Sequence, residues 1–304
     1  MKWRTTSMLL AILLLGLLGA GTAQAASGTK YIRDDATGGD CTSIGKWDLA
    51  NKTCTLKMDL TGSIVIGDKG GAGITLDGHG HKLTSSGSVV GVTMSAPGYY
   101  LGPSTIKNLK INGFGVGIWV DIDLFATIID NTISKNGTGL SLQRSYGPVD
   151  HNQILNNQVG INTTHGQHTF SNNTISNNTL AVSTEDIGPE GAVITNNLFM
   201  KNATLFRFWD DDGTVIYNNN FIDNDHPLEA NSGAWGGVFS RPAPTGGNYW
   251  SNYHTRAQGC KDLNNDDFCD TPFVLRVSCS IPTTGCAIQD NLPWAKRNGW
   301  LHKK

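Results

Sequence analysis

Apolar and polar residues repeat along the middle of the chain with a period of 21 to 24 residues. Five segments align when the fourth residue of each is taken as an anchor, at Asn131, Asn152, Asn173, Asn197 and Asn220. Apolar residues recur two positions after the anchor, at Ile133, Ile154, Ile175, Phe199 and Ile222, and nine positions after it, at Leu140, Ile161, Val182 and Phe206. Glycines and polar residues lie between them, so each repeat predicts two or three short strands separated by turns.

A single repeat of this kind cannot bury its own apolar residues, whereas stacked repeats bring equivalent residues about 4.8 Å apart in columns. The pattern therefore predicts an all-β fold, a right-handed parallel β-helix with coils of about 21–24 residues. Asparagine suits the corners because it tolerates left-handed backbone and can hydrogen-bond along a stack. The competing leucine-rich repeat would need a Leu-x-x-Leu-x-Leu pattern, which the chain lacks.

The amino terminus has the pattern of a secretory signal peptide. Lys2 and Arg4 precede an apolar run from Met8 to about Leu18, and small residues surround a cleavage point near Ala25. We expect cleavage there and a secreted or periplasmic protein. From where the repeats begin and end, we predict an amino-terminal cap over 26–63, β-helix coils over 64–229 and a carboxy-terminal cap over 230–304.

Composition and cysteine content argue against two classes of protein, nucleic-acid binders and zinc proteins. The net charge of −2 and 16% charged residues argue against a nucleic-acid binder, which usually carries a basic stripe. An even number of cysteines in an exported chain favours disulfides over a zinc site, which would show closer cysteine spacing. Fifteen pairings remain open. The simplest are local: Cys41 with Cys54, Cys260 with Cys269, and Cys279 with Cys286.

An acidic segment in the predicted carboxy-terminal cap alternates oxygen-bearing residues. Asp262, Asn264, Asp266 and Asp270 occupy every second position, with Phe268 offering its backbone carbonyl. This spacing can wrap a loop around a hard cation, and we expect a structural Ca²⁺. The segment lacks the usual glycine at its sixth position and a closing glutamate, so a solvated acidic turn stapled by cysteines is the alternative.

The repeats, the corner Leu76-Asp-Gly-His-Gly-His81 and the ending resemble the pectin-lyase-like β-helix superfamily. The ending contains Gly247-Asn-Tyr-Trp-Ser-Asn-Tyr253, the segment 262–273 and Asp290-Asn-Leu-Pro293. It is similar to the NosD-like, CASH-domain group of carbohydrate-binding proteins and sugar hydrolases. The resemblance implies the β-helix fold, and for NosD itself an accessory role in the maturation of a periplasmic copper enzyme. Since one fold hosts many functions, it does not imply an activity.

Strand alternation predicts which side chains face outward from the coils. With Leu109 as a degenerate anchor, outward residues ten positions after the anchors are Trp119, Ser141, Asn162, Ser183 and Arg207. Those twelve positions after are Asp121, Gln143, Thr164, Glu185 and Trp209. The corners that follow add Arg144, Tyr146, His165, His168, Asp186, Asp210, Asp211 and Asp212. The resemblance implies that chemistry, where present, lies on this strip.

A linear polysaccharide would fit such a strip, with Trp119 and Trp209 stacking on sugar rings and Asp121, Arg144, Tyr146 and His168 as further binding residues. For hydrolysis, Glu185, Asp186, Asp210 and Asp211 are the predicted acid and base residues. For a lyase, Arg207, Arg144 and His165 are the candidates for charge neutraliser and base. Solvated corners of any β-helix are polar, however, so the strip equally fits a protein that binds without cleaving or a surface scaffold.

A NosD-like copper-enzyme accessory is the second hypothesis, with His151, His165 and His168 as candidate copper ligands. A non-catalytic surface scaffold is the third. In each case we expect a monomer with no nucleic-acid partner and no membrane span.

Overall fold

The computed structural model describes residues 26–68, 73–85, 87, 89–95, 103–121, 125–189, 191–211, 213–229, 237–276 and 287–302. The predicted signal peptide, Asp212, Cys279 and Cys286 lie outside the described residues. Within those residues, no helix is long and apolar enough to cross a membrane.

The structure consists almost entirely of β-strands. In chain order they are β1 (Ala26–Ile32), β2 (Gly45–Asp48), β3 (Thr53–Leu56), β4 (Leu60–Ile66), β5 (Thr75–Asp77), β6 (Lys82–Thr84), β7 (Val90–Ser95), β8 (Ser104–Lys107), β9 (Lys110–Asn112), β10 (Val116–Asp121), β11 (Ala126–Ile129), β12 (Thr132–Ser134), β13 (Thr138–Gln143) and β14 (Tyr146–Asp150). They continue with β15 (Gln153–Leu155), β16 (Val159–Thr164), β17 (Gln167–Ser171), β18 (Thr174–Ser176), β19 (Leu180–Ile187), β20 (Val193–Thr195), β21 (Leu198–Met200), β22 (Thr204–Asp211), β23 (Val215–Tyr217), β24 (Asn220–Ile222), β25 (His226–Leu228), β26 (Tyr249–Trp250), β27 (Phe273–Arg276) and β28 (Ala287–Asp290). The described helices are one short α-helix (Cys41–Ile44) and two 3₁₀ turns (Arg256–Gln258 and Gly299–Leu301).

These strands wind into a parallel β-solenoid of about seven turns, which confirms the predicted fold class. In one coil, β11, a short strand β12 and a long strand β13 follow one another around the axis. Each pairs in parallel with its equivalent in the next coil, β14, β15 and β16 respectively. The solenoid therefore has three faces, which we call the first face, the short-strand face and the long-strand face.

The core is a set of apolar columns parallel to the axis. Ile133, Ile154, Ile175, Phe199 and Phe221 pair in register and are buried. Leu140, Ile161, Val182 and Phe206 form a second buried column, as predicted. Complete burial of each such side chain is worth roughly 1.5–3 kcal/mol. Stacking of equivalent residues thus lets a chain with short strands bury a continuous core.

The predicted register is wrong by one residue in the fifth repeat. Phe221, not Ile222, continues the inner column, and Ile222 pairs with Met200 on the outside. The anchor is accordingly Asn219 rather than Asn220, because Asn219 accepts the hydrogen bonds of Asn197 at 2.9 and 3.0 Å. Three successive asparagines at 218–220 concealed the choice at the level of sequence.

Asparagines form two buried ladders, one at each end of the short strands. In the anchor ladder, the backbone N–H and Nδ2 of each asparagine donate to Oδ1 of its equivalent in the next coil, and Nδ2 also donates to a backbone carbonyl of the coil before. For Asn152, these bonds measure 2.8 Å and 3.1 Å to Asn173 and 2.8 Å to Ile128. The second ladder repeats this arrangement with Asn136, Asn157, Asn178, Asn202 and Asn224. The left-handed residue of each corner is the one before the ladder asparagine, such as His151 with φ 53°.

The carboxy-terminal segment closes the anchor ladder. Asn248 follows Asn219, and its backbone N–H donates to Oδ2 of the buried Asp290 at 2.7 Å. Trp250 Nε1 donates to the same oxygen at 3.0 Å. Gly247 has no room for a side chain, because a Cβ there would lie 1.8 Å from Asp290 Oδ1.

Two of the three predicted disulfides are present, Cys41–Cys54 and Cys260–Cys269, and the third pair lies outside the described residues. Parallel pairing also reaches into both segments predicted as caps. β1 pairs with β4 along its whole length, and Tyr249–Trp250 pairs with β24.

Candidate functional site

The outward side chains of the long strands form two columns parallel to the axis, which we call the lateral strip. One contains Trp119, Ser141, Asn162, Ser183 and Arg207, and the other Asp121, Gln143, Thr164, Glu185 and Trp209. Both columns have the register that the sequence predicted. Trp209 is 54% exposed, whereas Trp119 is half-buried.

The corners after β13 and β16, and the equivalent positions near the ends of β19 and β22, carry a column of polar residues in the left-handed region. Arg144, His165, Asp186 and Asp210 have φ angles of 49°, 53°, 52° and 52° and are all exposed. Arg144 donates from Nη2 to Asp121 at 2.6 Å, and His165 Nε2 contacts the carboxylate of Asp186. These pairs link neighbouring coils, so part of the charge on the strip is neutralised within the protein.

Arg207 forms an ion pair with Glu229 of the next coil, and one of its bonds, from Nη2 to Oε1, measures 2.8 Å. The hydrogen bond from Arg207 lowers the pKa of Glu229, against the opposing effect of burial. Glu185 and Asp210 are exposed, and no hydrogen bond from the described residues reaches their carboxylates. The strip therefore carries two uncompensated carboxylates beside an exposed indole.

Two predicted members of the site point into the core. Asp211 is fully buried, and its carboxylate accepts bonds from the Thr184 and Thr214 hydroxyls at 2.5 and 2.7 Å and from the Gly213 and Thr214 backbone N–H groups at 3.2 and 3.0 Å. The left-handed residue before Asp211 reverses the alternation, which places Asp211 inward beside its partner Ile187. Asp211 consequently supports the corner and does not reach the strip.

His168 is the second inward residue. Its Nε2 lies 3.0 Å from the Ser145 hydroxyl and its Nδ1 3.0 Å from the Gly147 carbonyl. Burial lowers the pKa of His168 to about 4, although the bond to Gly147 opposes the shift, so the ring is neutral at neutral pH. Tyr146 lies on the first face rather than on the strip, half-buried, with its ring 6.5 Å from that of Phe125.

The acidic segment in the carboxy-terminal region is closed by the Cys260–Cys269 disulfide. Asp262 accepts hydrogen bonds from the backbone N–H groups of Asp266 and Asp267 at 3.1 and 3.2 Å. Asp270 accepts one from Leu263 at 2.8 Å. Phe268 packs its buried ring on Trp294, with ring centroids 4.3 Å apart. The loop thus turns its backbone N–H groups toward its own carboxylates, and calcium binding stays a prediction.

Comparison with protein families gives one match over residues 56–255, to a family described as periplasmic copper-binding protein (NosD). The chain belongs to the NosD family. This is a right-handed β-helix family of the pectin-lyase-like type, in agreement with the solenoid and with the resemblance seen in the sequence. Searches against curated proteins and against solved structures gave no significant match.

The name of the NosD family raises the question of copper ligands. All eight histidines of the chain lie in the described residues. Of the three candidates, His168 has both nitrogens bonded, His165 pairs with Asp186, and His151 lies 2.5 Å from Asp150. Among the described residues, no three side chains of His, Cys, Asp or Glu are grouped to hold a metal ion. The described part of this NosD-family chain does not fit a preformed copper centre.

Sequence reasoning missed three features near the site. Glu229 lies ten positions after Asn219, in the same outward column as Arg207, and the one-residue error in the fifth anchor concealed this pairing. The inward direction of His168 follows from its place two residues before the buried Phe170 in one strand, a signal that was available. The role of Asp290 depends on a partner 42 residues away and leaves no local signal.

Proposed function

We propose that this NosD-family protein acts in the periplasm and binds an extended polysaccharide along the lateral strip, without cleaving it. The observation that carries the proposal is the placement of Trp119 and Trp209 four coils apart on one face. At about 4.8 Å per coil, they are separated by about 19 Å along the axis. Between them in one column lie the half-buried Asn162 and the buried, small Ser141 and Ser183.

This arrangement suits a long ligand with repeated hydroxyl groups. Indole rings offer large apolar surfaces with a polar edge, and the half-buried side chains of Gln143, Asn162 and Thr164 between them can take part in hydrogen bonds. A strip that runs along several coils favours an extended polymer over a small molecule, which usually binds in a concave pocket. Uncompensated carboxylates at Glu185 and Asp210 disfavour a strongly anionic chain.

The partners of the predicted catalytic residues support binding rather than cleavage. Acid–base hydrolysis needs two carboxyl groups that flank the bond, one of them held protonated. Asp211 is instead buried in a corner, and Asp186 is paired with His165. Arg207, the candidate charge neutraliser for a lyase, is paired with Glu229. Each of these three groups would have to leave its present partner before it could act on a sugar, which leaves Glu185 and Asp210 as the exposed carboxylates of the strip.

The test is a glycan array with the mature protein, followed by calorimetry on any polysaccharide that binds. We expect binding to neutral chains that strengthens with chain length up to about four or five sugar units. Assays for new reducing ends and for unsaturated products should stay negative with the same chains. Absence of binding across a broad panel would contradict the proposal, and product formation would contradict its non-catalytic part.

A second candidate is an accessory role in copper-enzyme maturation, favoured by the family match over 56–255. Because the described residues do not group into a copper centre, such a role would rest on protein contacts rather than on a resident metal. Metal analysis after dialysis against a weak chelator tests it. Retention of about one copper per chain would favour this candidate over the polysaccharide proposal.

A further inference from the structure

The two asparagine ladders end differently at the carboxy-terminal end of the solenoid. The anchor ladder ends on Asp290, whose carboxylate accepts the last N–H groups. The second ladder ends at Asn224, whose Oδ1 accepts from Asn202 at 2.9 and 3.0 Å and whose Nδ2 donates to the Phe199 carbonyl at 3.0 Å. Among the described residues, no acceptor meets the backbone N–H or the second Nδ2–H of Asn224. In every earlier member of this ladder, these two N–H groups donate to Oδ1 of the next asparagine. At Asn224 they have no such acceptor among the described residues.

A cavity of about 230 Å³ lies beside Asn224, at the end of this ladder. One wall is aromatic: the rings of Phe221 and Trp250 are stacked 4.2 Å apart, and Phe273 lies 4.6 Å from Trp250. The rim carries the exposed carboxylates of Asp223 and Asp225. The chain turns away after β26, since Tyr253 N–H bonds back to the Trp250 carbonyl, and this turn leaves the space open.

We propose that this cavity binds the acetamido group of an N-acetylated amino sugar. The acetamido carbonyl would take the place that the Oδ1 of the next asparagine takes in each earlier coil, and accept both donors of Asn224. Its methyl group would pack against the aromatic wall. The sugar ring would project toward the rim, where its hydroxyl groups donate to Asp223 and Asp225.

Other acceptors suit the cavity less well. A carboxylate would complete the ladder in the way that Asp290 completes the other one, but two rim carboxylates would repel it. A sugar without an acetamido group lacks both the carbonyl and the methyl. The volume is below the range of about 300–1,000 Å³ typical of pockets for drug-sized ligands, which suits one substituent or one ring. The site is separate from the lateral strip and goes beyond the proposed function.

The proposal is tested by titrating the full mature chain with N-acetylglucosamine and N-acetylgalactosamine, followed by amide NMR. We expect the Asn224 backbone amide to shift on addition of at least one of them, while the Asn178 amide, inside the same ladder, stays in place. Glucose should bind at least tenfold more weakly. If no acetamido sugar moves the Asn224 amide at millimolar concentrations, or if glucose moves it equally, the proposal is overturned.

A pair of matched substitutions locates the site. Asp225 follows a ladder asparagine, and the equivalent positions in the two preceding coils are Ala203 and Thr179. Because alanine is native at one of them, Asp225→Ala should fold. We expect Asp225→Ala to weaken the sugar at least tenfold and Thr179→Ala to leave it unchanged; equal affinities in both variants would overturn the placement. Trp209→Ala should leave binding of the N-acetylated sugar unchanged. This variant therefore distinguishes failure of the cavity proposal from failure of the polysaccharide proposal.

Discussion

The anchor ladder and the lateral strip are built by the same coils in the same register, yet they differ in composition. Inside, the ladder repeats one residue: Asn131, Asn152, Asn173, Asn197, Asn219 and Asn248. Outside, one column of the strip changes at nearly every step: Trp119, Ser141, Asn162, Ser183 and Arg207. The spacing of the coils is common to both, so spacing cannot explain the difference.

The difference follows from where each residue finds its partners. A buried asparagine must satisfy its polar groups within the protein, and its equivalent in the next coil offers the matching donors and acceptors. An outward residue that is exposed, such as Glu185, can be satisfied by water and has no such requirement. Uniform columns in this solenoid therefore indicate a structural role, whereas a column that varies from coil to coil is free of this stacking requirement.

The largest expected effect is a difference in stability between two asparagine-to-alanine substitutions in one coil, one in the buried ladder and one on the strip. Asn152→Ala removes the acceptor of Asn131 and the donor to Ile128, and leaves those groups unsatisfied in the core. At roughly 1–3 kcal/mol for each orphaned group, we expect a loss of about 5 kcal/mol. Asn162→Ala, on the strip, should change stability by less than about 0.5 kcal/mol. Urea unfolding measures both, and similar losses would contradict the distinction.

The acid that closes the anchor ladder should make stability depend on pH. Burial raises the pKa of Asp290 to about 7, although bonds from Trp250 and Asn248 oppose the shift. The native state then holds a proton that the unfolded chain loses near pH 4, so this contribution to stability falls as pH rises from about 4 to about 7. The full loss is on the order of 4 kcal/mol.

The measurement is the difference in unfolding free energy between the wild type and Asp290→Asn across this range. The difference cancels the opposite trend of His168, whose pKa of about 4 makes stability rise over part of the same range. A difference that stays constant from pH 4 to 7 would show that Asp290 does not titrate in this way.

The sequence predicted the fold well because each apolar column repeats at a fixed offset. The predicted register was wrong only at Asn218–Asn220, where three identical residues compete for one ladder position.

The site was predicted less well, since the direction of a side chain after a corner depends on the left-handed residue in that corner. Asp211 shows this: its equivalent Ile187 is buried, and that apolar residue was the available signal. Closure of one ladder by Asp290 and the open end of the other depend on chain paths that no repeat encodes.

Binding should respond to the strip and not to other outward aromatic residues. We expect Trp209→Ala to weaken polysaccharide binding about tenfold, equivalent to about 1.4 kcal/mol, while stability changes little because the indole is largely exposed. Tyr217→Ala, on the first face, is the matched control and should leave affinity unchanged. Calorimetry with the best chain from the array measures both variants, and equal losses would remove the strip from the binding surface.

The smallest expected effect concerns the acidic loop, which lies outside both the ladder and the strip. Its carboxylates already accept backbone N–H bonds, and the Cys260–Cys269 disulfide closes it, so a cation would add little order. We expect Ca²⁺ to raise the midpoint of thermal unfolding by only a few degrees relative to chelator, equivalent to about 1 kcal/mol. Asp262→Asn should abolish the shift, whereas Asp48→Asn, in the amino-terminal region, should preserve it. If Ca²⁺ leaves the midpoint unchanged, the loop holds its shape through its own hydrogen bonds, as the ladders do.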